Sequence, residues 1–176
     1  MQVRYYTAPV LGRMSDDPNS TQRQRQYLQA LKVLHPNSLV VIEGKMLATK
    51  PHQRLVRPIP EAPDLQTVQV YHFSEKKTDV NLASDLITGA WKAEYEQAIL
   101  CSNDSDLEGA IAAVKRDHPD IRIGIVAPIL SGDHRHVSGD LKRYADWTKI
   151  LSVAHISASQ LPLQIPHSKI QKPVKW

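Results

Sequence analysis

The sequence predicts an α/β domain built on a mainly parallel sheet with helices on its faces. Short apolar stretches alternate with amphipathic stretches of helical period along most of the chain. This alternation is typical of parallel strands that are connected through helices. At 176 residues, 41% of them hydrophobic, the chain is about one domain long and can bury a sizeable core.

The first elements are a strand, a helix and a second strand. Residues 3–6 predict a strand, and residues 20–34 predict a helix that Asn19 or Ser20 caps. Residues 39–42 are apolar and predict a second, buried strand. The helix carries one apolar stripe, formed by Tyr27, Leu28, Leu31 and Leu34.

A proline-rich basic insertion follows at about residues 45–72. Its cations are spread among prolines, which predicts a long irregular loop or a ribbon. Such a segment could hold phosphate groups, and an ordinary solvated loop explains it equally well. The residues concerned are Lys45, Lys50, His52, Arg54 and Arg57, with Pro51, Pro58, Pro60 and Pro63.

The second half of the chain repeats the alternation of helix and strand. A helix runs to about Ala90, a strand spans Tyr95 to Cys101, a helix begins near Ser105, and residues 121–126 predict a further strand. The inward stripes of all these elements predict a core. That core includes Leu28, Leu31, Ile99, Leu100, Ile111, Val114, Ile123 and Ile125.

Four aspartates are the strongest candidates for chemistry. Asp79 and Asp85 lie in EKKTDVNLASDL, and Asp104 and Asp106 lie in CSNDSDLEGA. Asp104 and Asp106 follow an apolar strand, and ligands of open α/β sheets bind at that carboxyl end. Several carboxylates that converge on one cleft suit Mg²⁺ or Mn²⁺.

Structural roles compete with this interpretation. Asp104 can shape a turn, Asp106 can stabilise the first turn of the next helix, and Asp79 can cap its own helix. Asp85 is harder to explain in this way, because it lies beside apolar helix positions where an ionised group needs a partner. Asp79 and Asp85 are about 120° apart on an ideal helix. Both reach one site only if Asp79 belongs to the loop that enters the helix.

Together, these stretches resemble the NYN domain family, a LabA-like group of PIN-like proteins. The resemblance rests on EKKTDVNLASDL, a strand, SNDSDLEGAIAAVK and another strand, with VRYYTAPV and RQRQYLQAL before them and ISASQLP after them. It covers residues 3–162 and implies a PIN-like fold, which leaves residues 163–176 as a carboxyl-terminal tail.

One departure from the family pattern concerns the amino terminus. Such domains usually open with a hydrophobic strand that ends in an Asp, and this sequence begins after that strand. The expected sheet therefore lacks its amino-terminal strand. Because bare sheet edges are unfavourable, we expect the slot to be closed by direct strand pairing, by another chain or by upstream residues.

The resemblance also implies a function. Family members are regarded as metal-dependent ribonucleases or RNA-processing proteins, which implies RNA as the partner and Mg²⁺ or Mn²⁺ as the cofactor. The alternative is a domain of weak or no catalytic activity that binds RNA or a protein partner, including a second copy of the chain. The implied acidic, catalytic site consists of Asp79, Asp85, Asp104 and Asp106. Asp79 and Asp104 are the expected metal ligands, Asp106 is a ligand or supports one, and Asp85 supports a ligand or positions the water. Asn103, Ser105 and Lys77 are the candidates for substrate contact.

Other enzyme classes find less support. The sequence has neither a GxxxxGK phosphate loop nor a GxSxG elbow. A nucleotide-sugar transferase using Asp104 and Asp106 is a third class, and an aspartyl-phosphate phosphatase would need a Thr soon after its DxD where Leu107 stands. The SGDHRH stretch favours solvent exposure or RNA contact over a zinc site.

Charge and cysteine content point to a cytoplasmic protein. A net charge of +4 and a pI of about 9.2 permit a nucleic-acid partner. The single Cys101 excludes an internal disulfide and predicts a buried thiol in a reducing compartment. Apolar runs are too short to span a bilayer, and no signal-peptide pattern precedes the first strand.

Overall fold

The computed structural model describes residues 1–14 and 17–173, which form two compact units, residues 1–78 and 79–173. The elements of the first unit are β1 Val3–Thr7, α1 Ser20–Leu34, β2 Leu39–Glu43, β3 Lys45–Thr49, β4 His52–Arg54, β5 Thr67–Gln69 and β6 His72–Lys76. Helix α2, Thr78–Trp91, leads into the second unit. The following elements are β7 Gln97–Leu100, a short 3₁₀ helix Ser105–Leu107, α3 Glu108–Asp117, β8 Arg122–Leu130, α4 Gly139–Tyr144, β9 Trp147–Leu151 and α5 Val153–Ala158.

The first unit begins with a β–α–β crossover. Strands β1 and β2 pair in parallel, from Val3 with Leu39 to Thr7 with Glu43. Parallel strands need a long connection, which α1 supplies. The side chain of Gln24 in α1 donates to the carbonyl of Ala8 at 2.9 Å, fixing the helix to the segment after β1. The predicted strand–helix–strand order is thus observed, although β2 is only partly buried.

An antiparallel ribbon occupies most of the predicted insertion. Strand β3 pairs with β6 and β4 pairs with β5, and the register is the same in both ladders. Pro51 lies between the ladders and has no N–H to donate, but its carbonyl accepts from Val70 at 3.1 Å. Residues 45–54 and 67–76 therefore form one continuous ribbon. Of the two alternatives predicted for the insertion, an irregular loop or a ribbon, these residues form the ribbon.

The second unit contains a three-stranded parallel sheet in the order β7–β8–β9. Helix α3 connects β7 to β8, and α4 connects β8 to β9. One face of the sheet packs against α2, α3 and α4. The buried cluster there consists of Leu86, Ala90, Leu100, Leu107, Ala110, Ile111, Val114, Ile123, Ile125 and Leu141.

Most of the predicted core is confirmed, but the prediction that Ile99 is buried is wrong. The side chain of Ile99 is 54% exposed, whereas Leu100 next to it is 6% exposed. Successive strand residues point to opposite faces of a sheet, so only Leu100 reaches the helices. Among the strands that the structure describes, β7 is also an edge strand that pairs with β8 alone. Leu28 and Leu31 on α1 are half-buried, not fully buried.

The expectation of a single mainly parallel sheet is not confirmed. The described strands form four sheets of two or three strands each, and two of these sheets are parallel. After β2 the chain passes through one residue, Gly44, directly into the ribbon. A strand that continues so soon has no crossover and cannot add to a parallel sheet.

The expectation for Cys101 is corrected, and part of the tail is folded. Cys101 is exposed, because it lies just beyond the end of β7, and partial shielding of its sulfur raises the pKa of the thiol. Within the predicted tail, Ile165 is 1% exposed, and its N–H donates to the carbonyl of Ile170 at 3.0 Å. This part of the tail is therefore folded, while residues 174–176 lie outside the described residues. Among the helices that the structure describes, none has the length and apolar content to cross a bilayer.

Candidate functional site

The turn after β7 presents two of the predicted aspartates at the carboxyl end of the sheet. Asp104 caps the 3₁₀ helix, since its Oδ1 accepts from the backbone N–H of Asp106 at 3.1 Å. The N–H of Asp104 in turn donates to the Ser102 hydroxyl at 3.1 Å. The turn-shaping role of Asp104 is therefore observed. Both carboxylate residues remain exposed, so the same turn presents them to solvent.

Asn103 ties this turn to the loop that follows β8. Its Nδ2 donates to the carbonyl of His136 at 3.2 Å, and its Oδ1 accepts from the N–H of Ser138 at 2.8 Å. These bonds bring residues 102–106 and 131–138 together, and we call this pair of segments the carboxyl-edge site. Both ends of the Asn103 amide are bonded to backbone, which makes the residue an anchor. Its predicted contact with substrate stays a prediction, as does that of the exposed Ser105.

The loop contributes both signs of charge to the carboxyl-edge site. Asp133 accepts from Arg135 Nε at 2.9 Å and from Nη2 at 2.7 Å. Both nitrogens donate to Oδ2, and the backbone N–H of Arg135 donates to Oδ1 at 2.9 Å. These hydrogen bonds lower the pKa of Asp133 below its ordinary value, which favours the ionised carboxylate. His134, Arg135 and His136 are all exposed. Their exposure agrees with the expected contact with solvent, and the expected contact with RNA stays a prediction.

An ion pair and its hydrogen bonds join three elements at the amino end of the sheet. Asp146 Oδ2 accepts from the backbone N–H of Ile123 at 2.6 Å, and Asp146 Oδ1 lies 3.1 Å from Lys115 Nζ. The hydrogen bond from Ile123 is the main cause that lowers the pKa of Asp146, and Lys115 adds to it. Lys115 also donates to the carbonyl of Ile121 at 2.9 Å. The start of β9, the start of β8 and the end of α3 are thereby joined.

The other predicted site residues lie on or beside α2. Asp79 is the second residue of this helix, so it does not belong to the entering loop. Helix geometry then directs Asp79 and Asp85 about 120° apart, as the sequence predicted for that case. Lys77 belongs to the first unit, is exposed, and adopts a φ of 79° in the turn between β6 and α2. Among residues 1–14 and 17–173, no three or more His, Cys, Asp or Glu side chains are grouped to hold a metal ion.

Sequence reasoning missed two features of the structure. The backbone atoms of His136 and Ser138 hold Asn103, and a backbone contact leaves no mark in side-chain pattern. The aromatic residues Tyr71 and Phe73 of the ribbon stack with their ring centroids 6.2 Å apart. Their spacing of two residues was the available signal, because it is the period of a strand face.

Comparisons with known proteins give one family and one relative. The NYN domain family matches residues 13–152. The 6-hydroxy-3-succinoylpyridine 3-monooxygenase HspA of Pseudomonas putida (strain DSM 28022 / S16) is 32% identical over 181 residues, which covers 99% of this chain and 57% of that protein. The chain thus spans little more than half the length of this relative. No solved structure matches the chain significantly.

The family match extends over most of the chain and includes both the turn at residues 102–106 and helix α2. NYN domains belong to the PIN-like context, which indicates a nuclease-like function related to RNA. The protein is therefore a member of the NYN domain family.

Proposed function

We propose that this protein is a metal-dependent ribonuclease that hydrolyses RNA phosphodiester bonds at the carboxyl-edge site. One observation carries the proposal: Asp104 and Asp106 are exposed on a single fixed turn at the carboxyl end of β7. Ligand sites of open α/β sheets form at this end of the strands. The family membership adds the expectation of RNA as the substrate.

The donor chemistry of the turn fits Mg²⁺ or Mn²⁺. Mg²⁺ commonly binds through one or two carboxylates, keeps several waters and completes its shell with substrate phosphate. Asp104 and Asp106 supply two such carboxylates, and they are the residues that would hold the ion. When bound, the ion would make an attacking water more acidic and stabilise negative charge on the leaving oxygen.

The chain's own residues would bind and orient the RNA. Asn103 holds the loop of residues 131–138 against the aspartate turn, so Arg135 and His136 lie in the loop that faces the same site. Cationic and imidazole groups there can contact phosphate oxygens. Ser105 remains a candidate for orienting substrate or water by hydrogen bonding. Asp79 as a ligand, Asp85 as a water-positioning group and Lys77 as a substrate contact remain proposals.

The test is cleavage of a 5′-labelled single-stranded RNA with Mg²⁺ or Mn²⁺, with and without chelator. We expect cleavage only with metal. Asp104→Asn and Asp106→Asn should each lower the rate by at least about 10- to 100-fold, the loss seen even for residues that only support metal ligands. Asp120→Asn is the matched control, because Asp120 is an exposed acid in the turn that precedes β8. Full activity of Asp104→Asn, or cleavage in chelator, would refute the proposal.

A catalytically weak domain that binds RNA is the alternative within the family. It is supported by the structural duties of the two central residues, since Asp104 caps a helix and Asn103 is bonded to backbone on both sides. Binding of the labelled RNA in chelator, with no cleavage when metal is added, would establish this alternative.

A second activity is suggested by the relative from Pseudomonas putida, whose name describes a monooxygenase acting on a substituted pyridine. The specific observation is 32% identity over nearly the whole of this chain. Incubation of 6-hydroxy-3-succinoylpyridine with the protein, O₂ and an added reductant tests it by mass spectrometry. Consumption of that compound would show that this chain shares the activity named for the relative. If the compound persists, the ribonuclease proposal is the better supported of the two.

A further inference from the structure

We propose that one face of the antiparallel ribbon is a binding surface for single-stranded RNA. This inference rests on the proposed action on RNA and assigns substrate recognition to a part of the chain outside the carboxyl-edge site. The surface, here called the aromatic–basic face, consists of Lys50, His52, Arg54, Tyr71 and Phe73.

The register of the ribbon places these five residues on the same face. Lys45 pairs with Lys76 and Arg54 pairs with Thr67, with no shift of register between the two ladders. Side chains alternate between faces along each strand, so Lys50, His52 and Arg54 share a face. The same register puts Lys50 opposite Tyr71, and their contact confirms it, since Lys50 Nζ lies 5.0 Å from the ring centroid of Tyr71.

The aromatic residues of this face are available for stacking. Tyr71 is 61% exposed, and its ring is within 14° of parallel to that of Phe73. Because Tyr71 is so exposed, packing in the core does not explain why an aromatic residue stands at this position. Aromatic side chains on an open strand face provide platforms for unpaired bases, because every base has a π face. Bases in a duplex are already stacked, so this recognition selects single strands.

The charge of the ribbon is complementary to a polynucleotide. Residues 45–77 contain six Lys or Arg and three Asp or Glu, and the whole chain has a net charge of +4. Lys50, His52 and Arg54 are each exposed and are spaced two residues apart, which is about 6.8 Å along a strand. That spacing is similar to the distance between successive phosphates of an extended strand. A base stacked on Tyr71 would thus bring its phosphate beside the Lys50 ammonium.

The experiment is a binding titration by fluorescence anisotropy with a labelled oligouridine, in chelator so that no cleavage occurs. The wild-type chain should bind oligouridine more tightly than the corresponding RNA duplex. Tyr71→Ala should weaken binding by about 5- to 150-fold, the range for loss of one stacked base, whereas Tyr71→Phe keeps the ring and should bind nearly as the wild type. Tyr71→Leu repeats the loss of the ring with an apolar side chain that keeps bulk at the position.

The charges are tested through the dependence of affinity on salt. Replacing Lys50 and Arg54 together by Gln should reduce the slope of log K against log salt by about 1.4, since each neutralised phosphate contributes about 0.7 for single strands. Replacing Arg25 and Lys32 together by Gln is the matched control, because both lie exposed on α1 and outside the ribbon. The control should retain the wild-type slope.

Each outcome separates this proposal from the ribonuclease proposal. If the ribbon variants bind as the wild type while metal-dependent cleavage persists, the aromatic–basic face is refuted and the ribonuclease stands. If RNA binding falls in the ribbon variants but the wild-type chain does not cleave RNA, the aromatic–basic face is supported and the ribonuclease proposal is not. Four other results would each overturn the proposal. Two concern RNA: the α1 control loses as much RNA affinity as the ribbon variants, or the wild type binds duplex RNA as tightly as oligouridine. The other two are tighter binding of oligothymidine DNA than of oligouridine, and ribbon variants that change oligomeric state without a change of RNA affinity.

Discussion

The opposite exposure of Ile99 and Ile123 allows a direct test of how the sheet of the second unit is covered. Ile123 in β8 is 0% exposed within the core cluster, and Ile99 in β7 is 54% exposed on the other face. Each isoleucine is replaced by alanine, which removes the same three carbon atoms. The two variants therefore differ only in the surroundings that those atoms lose.

The expected costs follow from these exposures. Burial stabilises by about 0.8 kcal/mol per CH₂, and a buried side chain also leaves a cavity, so Ile123→Ala should cost roughly 2–5 kcal/mol. Ile99 is about half shielded and borders solvent, so Ile99→Ala should cost about 1 kcal/mol with no cavity. Urea unfolding at a constant slope measures both values. Should Ile123→Ala fail to fold, Ile123→Val should still cost about 0.5–1.5 kcal/mol.

Equal costs for the two alanine variants would refute this reasoning. Such a result would mean that Ile99 is covered in solution, as a further strand or partner on that side of β7 would do. A cost for Ile123→Ala below about 0.5 kcal/mol would instead show that β8 does not face the core.

Three further predictions concern the scaffold and the metal. Asp146→Asn should lower the free energy of unfolding at neutral pH. Because the pKa of Asp146 lies below its usual 3.8, the difference in stability between variant and wild type should disappear as the pH falls through the folded-state pKa. Unfolding curves from pH 7 to pH 3 check the sign of this change. Gly124→Ala should cost about 1–3 kcal/mol, because an added methyl would lie 2.1 Å from the Trp147 ring, and Trp147→Leu in the same chain should restore part of the loss of stability. Mg²⁺ or Mn²⁺ should raise the melting temperature, and Asp104→Asn should remove most of that rise; identical melting curves with and without metal would count against the site.

Several elements of the fold could be predicted because each of them has a local cause. Helix α1 was predicted at residues 20–34, where the structure has it, since its apolar stripe repeats with the helical period. Strands β7 and β8 were predicted from runs of apolar residues. Strand β9 was missed, because Trp147–Leu151 mixes Thr and Lys with apolar residues and covers an edge of the sheet.

What could not be predicted depends on pairing between distant residues. An apolar run does not reveal whether both faces of its strand are covered, so Ile99 looked equivalent to Leu100. The anchoring of Asn103 joins residues 33 and 35 positions away in the chain, and it uses backbone atoms. Sequence proximity of Asp104 and Asp106 was enough to place them on one turn, and it could not show which distant side chains that turn meets.

The geometry of the aspartate turn determines how metal and RNA should depend on each other. Asp104 and Asp106 offer two exposed carboxylates, and in Mg²⁺ sites of this kind the substrate phosphate supplies further oxygen ligands. The ion should therefore bind weakly to the protein alone and more tightly once RNA is present. Linkage requires the converse, so the metal must raise RNA affinity by the same factor. A non-cleavable RNA analogue titrated with and without Mg²⁺ measures this factor. A value of one, with metal-dependent cleavage still observed, would show that the phosphate does not complete the metal shell and that further protein ligands do.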